Sequence, residues 1–129
     1  MENKLQNYRP YALSLLRIIA ALVLFSYGTQ KILGFPVADH VPPAYSLSWF
    51  AGLIELIVGF ALLIGFYSRA AAFVLSGEMA FAYFIAHFPK SFYPSINGGV
   101  AAILFCFIFL YLAISGPGPL SIDARQRGR

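Results

Sequence analysis

The sequence predicts an all-α fold, an integral membrane protein built as an antiparallel bundle of four helices. The chain of 129 residues is 60% hydrophobic and only 11% charged, with a mean hydropathy of +0.75. An ordinary soluble domain has about 25% charged residues. Four apolar segments, each long enough to cross or nearly cross a bilayer, are separated by stretches rich in proline, glycine and charge. We therefore predict a single membrane domain over residues 1–129 with little of the chain outside the lipid.

The four helices are delimited by residues that stop helices and by interfacial aromatic residues. We predict them over residues 11–33, 47–66, 70–88 and 98–115, with a basic C-terminal tail over residues 116–129. Gly34 ends the first helix, and the Gly-Pro-Gly-Pro run at 116–119 ends the fourth. Trp49 and Tyr67 flank the second helix, as aromatic residues do at a membrane surface. Tyr67, Ser68 and Arg69 are predicted to form the turn before the third helix.

Basic residues concentrate at one end of the predicted bundle. If both termini are cytoplasmic, that side holds Lys4, Arg9, Arg69, Arg125, Arg127 and Arg129. The opposite side holds Lys90, with Lys31 at the boundary. This is the positive-inside pattern, so we predict a bacterial inner-membrane protein with both termini in the cytoplasm. The net charge of +4 then serves topology and contact with anionic lipid, and we predict no nucleic-acid partner.

Four ionisable residues fall inside the predicted helices, where an isolated charge is costly. They are Arg17, Lys31, Glu55 and Glu78. Helical periodicity places them on stripes with small residues, which favour helix packing. We predict that Arg17, Glu55 and Glu78 form one connected polar cluster inside the bundle, with Lys31 nearer the outer mouth. Two interpretations stay open: ion pairs that only hold the bundle together, or a functional site whose carboxylates relay protons or hold a quinol hydroxyl.

A second polar group is predicted at the outer mouth of the bundle. It consists of Gln30, His87, Lys90 and Asn97. These side chains either recognise a head group or the edge of a quinone, or they are interfacial residues that reach toward water.

Aromatic residues make up 17% of the chain, and they either line an apolar groove or face lipid and core. The candidates for a groove are Phe81, Tyr83, Phe84, Phe105, Phe107 and Phe109. The single cysteine, Cys106, is expected to be a small packing residue. We predict no metal site, and no haem held by this chain alone, because His40 falls in a loop and His87 at a helix end.

Five stretches of the sequence are similar to those of a known family. They are LLRI at 15–18, GTQKILGF at 28–35, GLIELIVGFALLIGF at 52–66, SGEMAFAYFIAHFPKSFYPSINGG at 76–99 and GPGPLSIDA at 116–124. On these stretches the chain resembles the DoxX family of small four-helix membrane proteins. Similar members often carry an acid directly after Asn-Gly-Gly, where this chain has Val100. A shared polar site that used that acid would be incomplete here.

The resemblance implies an accessory subunit of a quinone-linked or thiol-linked redox system, with no redox centre of its own. The family takes its name from a small subunit of an archaeal quinol oxidase and thiosulfate:quinone oxidoreductase. Many members are described only as oxidoreductases or inner membrane proteins, and no catalytic motif is present here, so whether the chain is an enzyme stays open. We expect the chain itself to bind no cofactor, and a quinone is the one that the resemblance allows. The partners it implies are the lipid bilayer, a soluble redox enzyme and further copies of the chain.

Two alternatives come from other functional classes. The first is a non-catalytic membrane scaffold, or a protein that binds a small molecule. The second is a permease, which we rank last because four short helices leave little room for alternating access.

Overall fold

The computed structural model describes residues 2–37 and 42–127, and this part of the chain is helical throughout its regular structure. The α-helices are α1 (Glu2–Gln6), α2 (Arg9–Leu33), α3 (Leu47–Ile64), α4 (Ser68–Ala82), α5 (Pro94–Asn97), α6 (Val100–Ser115) and α7 (Ile122–Arg127). Helix α4 continues as a π-helical turn, Tyr83–His87, and a 3-10 turn, Phe88–Lys90. The predicted all-α membrane bundle is confirmed. His40 and Arg129, which the sequence analysis used, lie outside the described residues.

Helices α2, α3, α4 and α6 form the membrane bundle. Among the described residues, three spans are long and apolar enough to cross a membrane, namely Arg9–Leu33, Leu47–Ile64 and Ser68–Lys90. Helix α6 is also apolar but has 16 residues, which is about 24 Å at 1.5 Å per residue. Large apolar side chains such as Phe73, Phe81 and Phe107 are exposed on the helix surfaces. This outward apolar surface suits lipid.

The bundle consists of two closely packed pairs of helices, α2 with α3 and α4 with α6. The α3–α4 contact joins the pairs, whereas α2 and α6 barely touch. Small residues permit the close approach of α2 and α3, since a Cβ atom on Gly28 would lie 2.7 Å from the Leu56 backbone nitrogen. Between α4 and α6, Leu75 and Phe109 are fully buried in the apolar core. The seam between α2 and α6 is therefore the open side of the bundle.

The antiparallel arrangement gives the bundle two distinct ends. We call one the termini end, because it holds the start of α2, the α3–α4 turn and the end of α6. Hydrogen bonds from Arg17 to the carbonyl oxygens of Leu63 and Pro117 bring these elements together. We call the other the loop end. It holds the connection at 34–46 and the segment from Tyr83 to Gly99.

The turn between α3 and α4 lies two positions earlier than predicted, at 65–67 in place of 67–69. Gly65 has φ 74° and Tyr67 has φ 49°, so the chain reverses there, and Ser68 and Arg69 already belong to α4. The Asp123 carboxylate accepts hydrogen bonds from the Tyr67 and Ser68 backbone nitrogens at 2.9 and 2.7 Å. Asp123 thus caps the start of α4 from far along the chain, which local sequence signals do not reveal.

Residues 116–127, which belong to the predicted tail, pack back onto the termini end. The Leu120 backbone nitrogen donates to Ser14 Oγ at 3.1 Å, and the Asp123 backbone nitrogen donates to the Gly65 oxygen at 2.9 Å. The physical reason is that a Gly-Pro-Gly-Pro run cannot continue a helix. Its free carbonyl groups need donors, and α2 supplies them.

Candidate functional site

The first buried charge cluster, which we call the carboxylate site, consists of Lys31, Glu55 and Glu78. Lys31 Nζ donates to both carboxylate oxygens of Glu55 at 3.1 Å. The Glu55 side chain is 1% exposed and that of Lys31 is 28% exposed. The ion pair therefore joins the end of α2 to the middle of α3. Of its two side chains, only that of Lys31 is partly exposed at the surface of the bundle.

A glycine on α3 determines how Lys31 reaches this position. A Cβ atom on Gly52 would lie 2.6 Å from the Lys31 Cβ atom, so the lysine stem runs directly across Gly52. Gly52 lies three residues before Glu55, on the same face of the helix. Because Gly52 has no side chain, the Lys31 side chain can turn from the loop end toward the bundle interior. The sequence predicted that Lys31 lies nearer the outer mouth, because it is close to the end of α2.

Glu78 completes the site from α4. Glu55 and Lys31 both lie close enough to act on it electrostatically. Its two carboxylate oxygens are buried, and no nitrogen donor among the described residues reaches either of them. The Glu55 carboxyl lies within hydrogen-bond reach, so the two acids can share a hydrogen bond once one of them carries a proton. A buried polar atom without a partner costs about 1–3 kcal/mol, so it calls for an explanation.

The charges of the carboxylate site do not balance within it. One ammonium group faces two carboxyl groups, so a proton or a cation is needed for neutrality in a medium of low polarity. Glu78 is the acid without a cation of its own, because Glu55 already receives the lysine. The arrangement is suited to accept a proton or to bind a donor group.

Arg17 lies elsewhere, which corrects the expectation of one connected cluster. It is 14 positions before Lys31 on α2, about 21 Å along the helix axis. Similar depths had placed Arg17 beside Glu78, about 8 and 12 Å from the same membrane face by helix length. In the structure its guanidinium points instead toward carbonyl groups of the C-terminal segment.

The second buried charge cluster, which we call the arginine clamp, consists of Ser14, Arg17, Pro117 and Leu120. Arg17 is 1% exposed; it donates to the Pro117 oxygen and, at 2.7 Å, to the Leu120 oxygen. Ser14 Oγ donates to the Pro117 oxygen at 3.3 Å. Asp123 lies within electrostatic range of the guanidinium. The clamp therefore fastens the C-terminal segment to α2.

Two of the four residues predicted at the outer mouth come together, namely His87 and Asn97. Asn97 is 2% exposed, and its Nδ2 donates to the Ser91 oxygen at 2.9 Å and to the Tyr83 hydroxyl at 3.2 Å. Its Oδ1 accepts from the Gly99 nitrogen at 2.8 Å, and its carbonyl oxygen lies 3.1 Å from His87 Nδ1. Asn97 thus holds the segment between α4 and α6 in shape.

The other two predicted mouth residues are placed apart from this network. Gln30 Nε2 donates to the Val37 oxygen at 3.5 Å, in the connection that directly follows α2. Lys90 is exposed in the 3-10 turn. In residues 2–37 and 42–127 no hydrogen bond or ion pair links Gln30 or Lys90 to Asn97.

The aromatic candidates for a ligand groove are scattered over surface and core. Phe81, Phe84 and Phe107 are exposed toward lipid, and Phe109 is buried and stacked on Phe105 at 5.5 Å. Cys106 is half-buried, and its carbonyl oxygen accepts from Ser76 Oγ at 2.7 Å. Among the described residues no group of three His, Cys, Asp or Glu side chains converges on a metal position.

The fold and the carboxylate site define a small helical membrane protein with an open acidic group in its bilayer core. The sequence profile of the DoxX family matches residues 12–88. A Haemophilus influenzae protein, named only as an uncharacterized protein, is 39% identical over 127 residues, which are 94% of this chain and 95% of the relative. No solved structure matches the chain significantly. The chain belongs to the DoxX family, and the matched region contains all three residues of the carboxylate site.

Proposed function

We propose that this protein is an accessory membrane subunit of a quinone-linked redox system. It binds the head group of a quinone or quinol at the carboxylate site and exchanges protons with it, while a partner enzyme handles the electrons. The observation that carries the proposal is the Glu78 carboxyl, buried beside the Lys31–Glu55 ion pair with no nitrogen donor on either of its oxygens among the described residues.

The chemistry of the site matches both redox forms of such a ligand. A quinol presents two hydroxyl donors, and the open oxygens of Glu78 are acceptors. A quinone presents carbonyl acceptors, and the Lys31 ammonium is a donor. A carboxylate within hydrogen-bond reach of a hydroxyl is also placed to take its proton. Because Lys31 is partly exposed, a head group that diffuses in the hydrocarbon core can approach the site beside the lysine stem.

The proposed division of labour follows from the side chains that the chain provides. Oxidation of a quinol releases two protons and two electrons. The carboxylate site offers acceptors for protons. A chain with one cysteine and no converging set of metal ligands among the described residues offers no evident carrier for electrons. We therefore assign the electrons to a soluble redox enzyme that docks at the membrane.

The single tryptophan provides a direct test of quinone binding. Trp49 lies on α3 six residues before Glu55, about 9 Å along the helix. Purified protein in detergent is titrated with a short-chain ubiquinone, and quenching of tryptophan fluorescence is followed. We expect saturable quenching whose apparent affinity falls about tenfold or more in Glu78→Gln, since the variant replaces a proton-accepting carboxyl by an amide and loses roughly 1.5 kcal/mol of hydrogen bonding. Glu2→Gln, the same change in α1, is the matched control. Equal quenching of all three proteins would reject the proposal.

A second candidate is the scaffold that recruits a soluble enzyme without binding a redox ligand. The folded C-terminal segment favours it, because the segment forms a defined surface at the termini end, with α7 and the exposed Arg125. Purification in mild detergent followed by mass spectrometry of bound proteins distinguishes the two. A redox enzyme or a bound quinone supports the first candidate, and a partner without redox chemistry supports the scaffold.

The proposal includes a topology, with the protein in the bacterial inner membrane and the termini end in the cytoplasm. The exposed basic residues Arg9, Arg69 and Arg125 at that end support it. Single cysteines placed at Asn3 and Gln126, in a background that lacks Cys106, test it by accessibility. We expect labelling only after the membrane is permeabilised, and labelling from the outside of intact cells would reject this orientation.

A further inference from the structure

A cleft of about 560 Å³ opens at the termini end, between the start of α2 and the end of α6. Arg9 and Leu13 of α2, Arg69 of α4, and Tyr111 and Ser115 of α6 line it. It belongs to neither the carboxylate site nor the proton exchange proposed there. We propose that it binds one anionic phospholipid, with the phosphodiester between Arg9 and Arg69 and an acyl chain along the seam between α2 and α6.

The charge of the cleft favours an anionic head group. Two arginines line it, and no acidic residue in the described part of the chain does. Arg69 is held at the rim because its Nη1 donates to the Ala113 and Ile114 carbonyl oxygens at the end of α6. This leaves Nη2 for a ligand, and Gly116 keeps the space beside that atom free of a side chain. A guanidinium with free N–H groups is a strong partner for a phosphodiester.

The depth of the cleft favours a lipid over a soluble anion. Arg9 is the first residue of α2 and Ser115 is the last of α6, so the arginines lie where these two helices leave the hydrocarbon core. Leu13 lies one turn deeper and packs against the apolar core. Because α2 and α6 barely touch, the seam below is open toward the acyl chains. The cleft is thus polar at its rim and apolar at its floor, as a phospholipid is polar at its head group and apolar along its acyl chains.

The test compares two lipids that share the phosphodiester and the acyl chains but differ in the head-group alcohol, so that one is anionic and the other has no net charge. Delipidated protein in neutral detergent is mixed with phosphatidylglycerol or phosphatidylcholine of the same acyl chains. Bound lipid is counted by native mass spectrometry, and thermal unfolding is recorded in parallel. We expect one phosphatidylglycerol per chain, bound about fivefold or more tightly than phosphatidylcholine, as one basic contact at a membrane surface provides. The unfolding temperature should rise only with phosphatidylglycerol.

A matched pair of variants separates a site from general surface charge. Arg9→Gln should lose the preference for phosphatidylglycerol and the rise in unfolding temperature. Arg125→Gln removes the same charge at the same end but lines a different cavity, so it should keep both. Both arginines are exposed, so both variants should fold.

Three results would overturn the proposal. One is equal loss of binding in both variants, which would show attraction by net charge alone. Another is equal affinity for the two lipids. The third is an equal, Arg9-dependent rise in unfolding temperature with inorganic phosphate alone, which would make the cleft a site for a free anion.

Discussion

The carboxylate site and the arginine clamp both bury charge in one small bundle, but their hydrogen bonding differs. In the clamp, one guanidinium meets neutral backbone carbonyl groups, and both of its Nη atoms have acceptors, although its Nε has none among the described residues. In the carboxylate site, two acids share one lysine, and no nitrogen donor among the described residues reaches the oxygens of Glu78. The difference teaches that a buried charge whose hydrogen bonds reach other segments of the chain holds a structure together. A buried charge with open bonds is available to a ligand.

The largest expected effect is the loss of the clamp. Arg17→Met removes the donor from carbonyl groups at the ends of α3 and α6, which stay buried. We expect the free energy of unfolding to fall by about 3–5 kcal/mol, because each carbonyl group left without its donor costs about 1–3 kcal/mol. Thermal unfolding in detergent measures it. Arg125→Met, at an exposed arginine, is the control, and equal unfolding temperatures for the two variants would contradict the structural role of Arg17.

The carboxylate site should respond differently to single and double changes. Lys31→Met leaves Glu55 buried without its cation and should cost about 3 kcal/mol or more. Lys31→Met together with Glu55→Leu replaces the pair by apolar groups and should recover most of that loss. Unfolding of both variants is compared with the parent protein. A double variant no more stable than the single one would mean that the lysine stem, and not the ion pair, holds α2 to α3.

The space above Gly52 through which the Lys31 side chain passes can be filled by a substitution. Gly52→Ala places a methyl group against the base of the Lys31 side chain, where little movement is possible. We expect a loss of about 1–3 kcal/mol, as for overpacking of a core, together with weaker quenching by the quinone. Gly77→Ala is the matched control, because no atom lies within 4 Å of its Cβ position. A harmless Gly52→Ala would show that the lysine reaches Glu55 by another route.

The smallest effect tests whether the two regions are independent. Arg17→Met and Glu78→Gln lie in separate clusters, so their losses of stability should add to within about 0.5 kcal/mol. If instead the double variant loses clearly less stability than the two single variants lose together, Arg17 and Glu78 interact with each other, as the predicted single cluster requires.

The sequence indicated which face of α2 is buried, because polar side chains are costly in lipid and small residues favour contact with another helix. The predicted stripe on α2 consists of Arg17, Ala21, Leu24, Gly28 and Lys31; its first four members are buried, and the Lys31 side chain is 28% exposed. The partner of Arg17 could not be predicted in the same way. It is a set of main-chain oxygens, which every residue has, and no side-chain pattern marks which of them will be free.

The position of Lys31 shows a second limit of prediction. Periodicity placed the lysine on the correct face of α2, but the direction of its stem depends on the space above Gly52 in another helix. Similarly, the early turn before α4 depends on Asp123, 55 positions after Ser68. Both features arise from contacts between distant parts of the chain, where local propensity has no influence.

The arginine clamp also has a consequence for how the protein is made. The carbonyl groups that receive Arg17 are 100 and 103 positions later in the sequence. At about 5–20 residues per second, a ribosome needs roughly 5–20 s to reach them after Arg17 has been synthesised. During that interval α2 carries a cation for which the finished bundle's acceptors do not yet exist. Residues translated long after α2 therefore complete its hydrogen bonding, and a chain that ends before Pro117 should be degraded although α2, α3, α4 and α6 are all present.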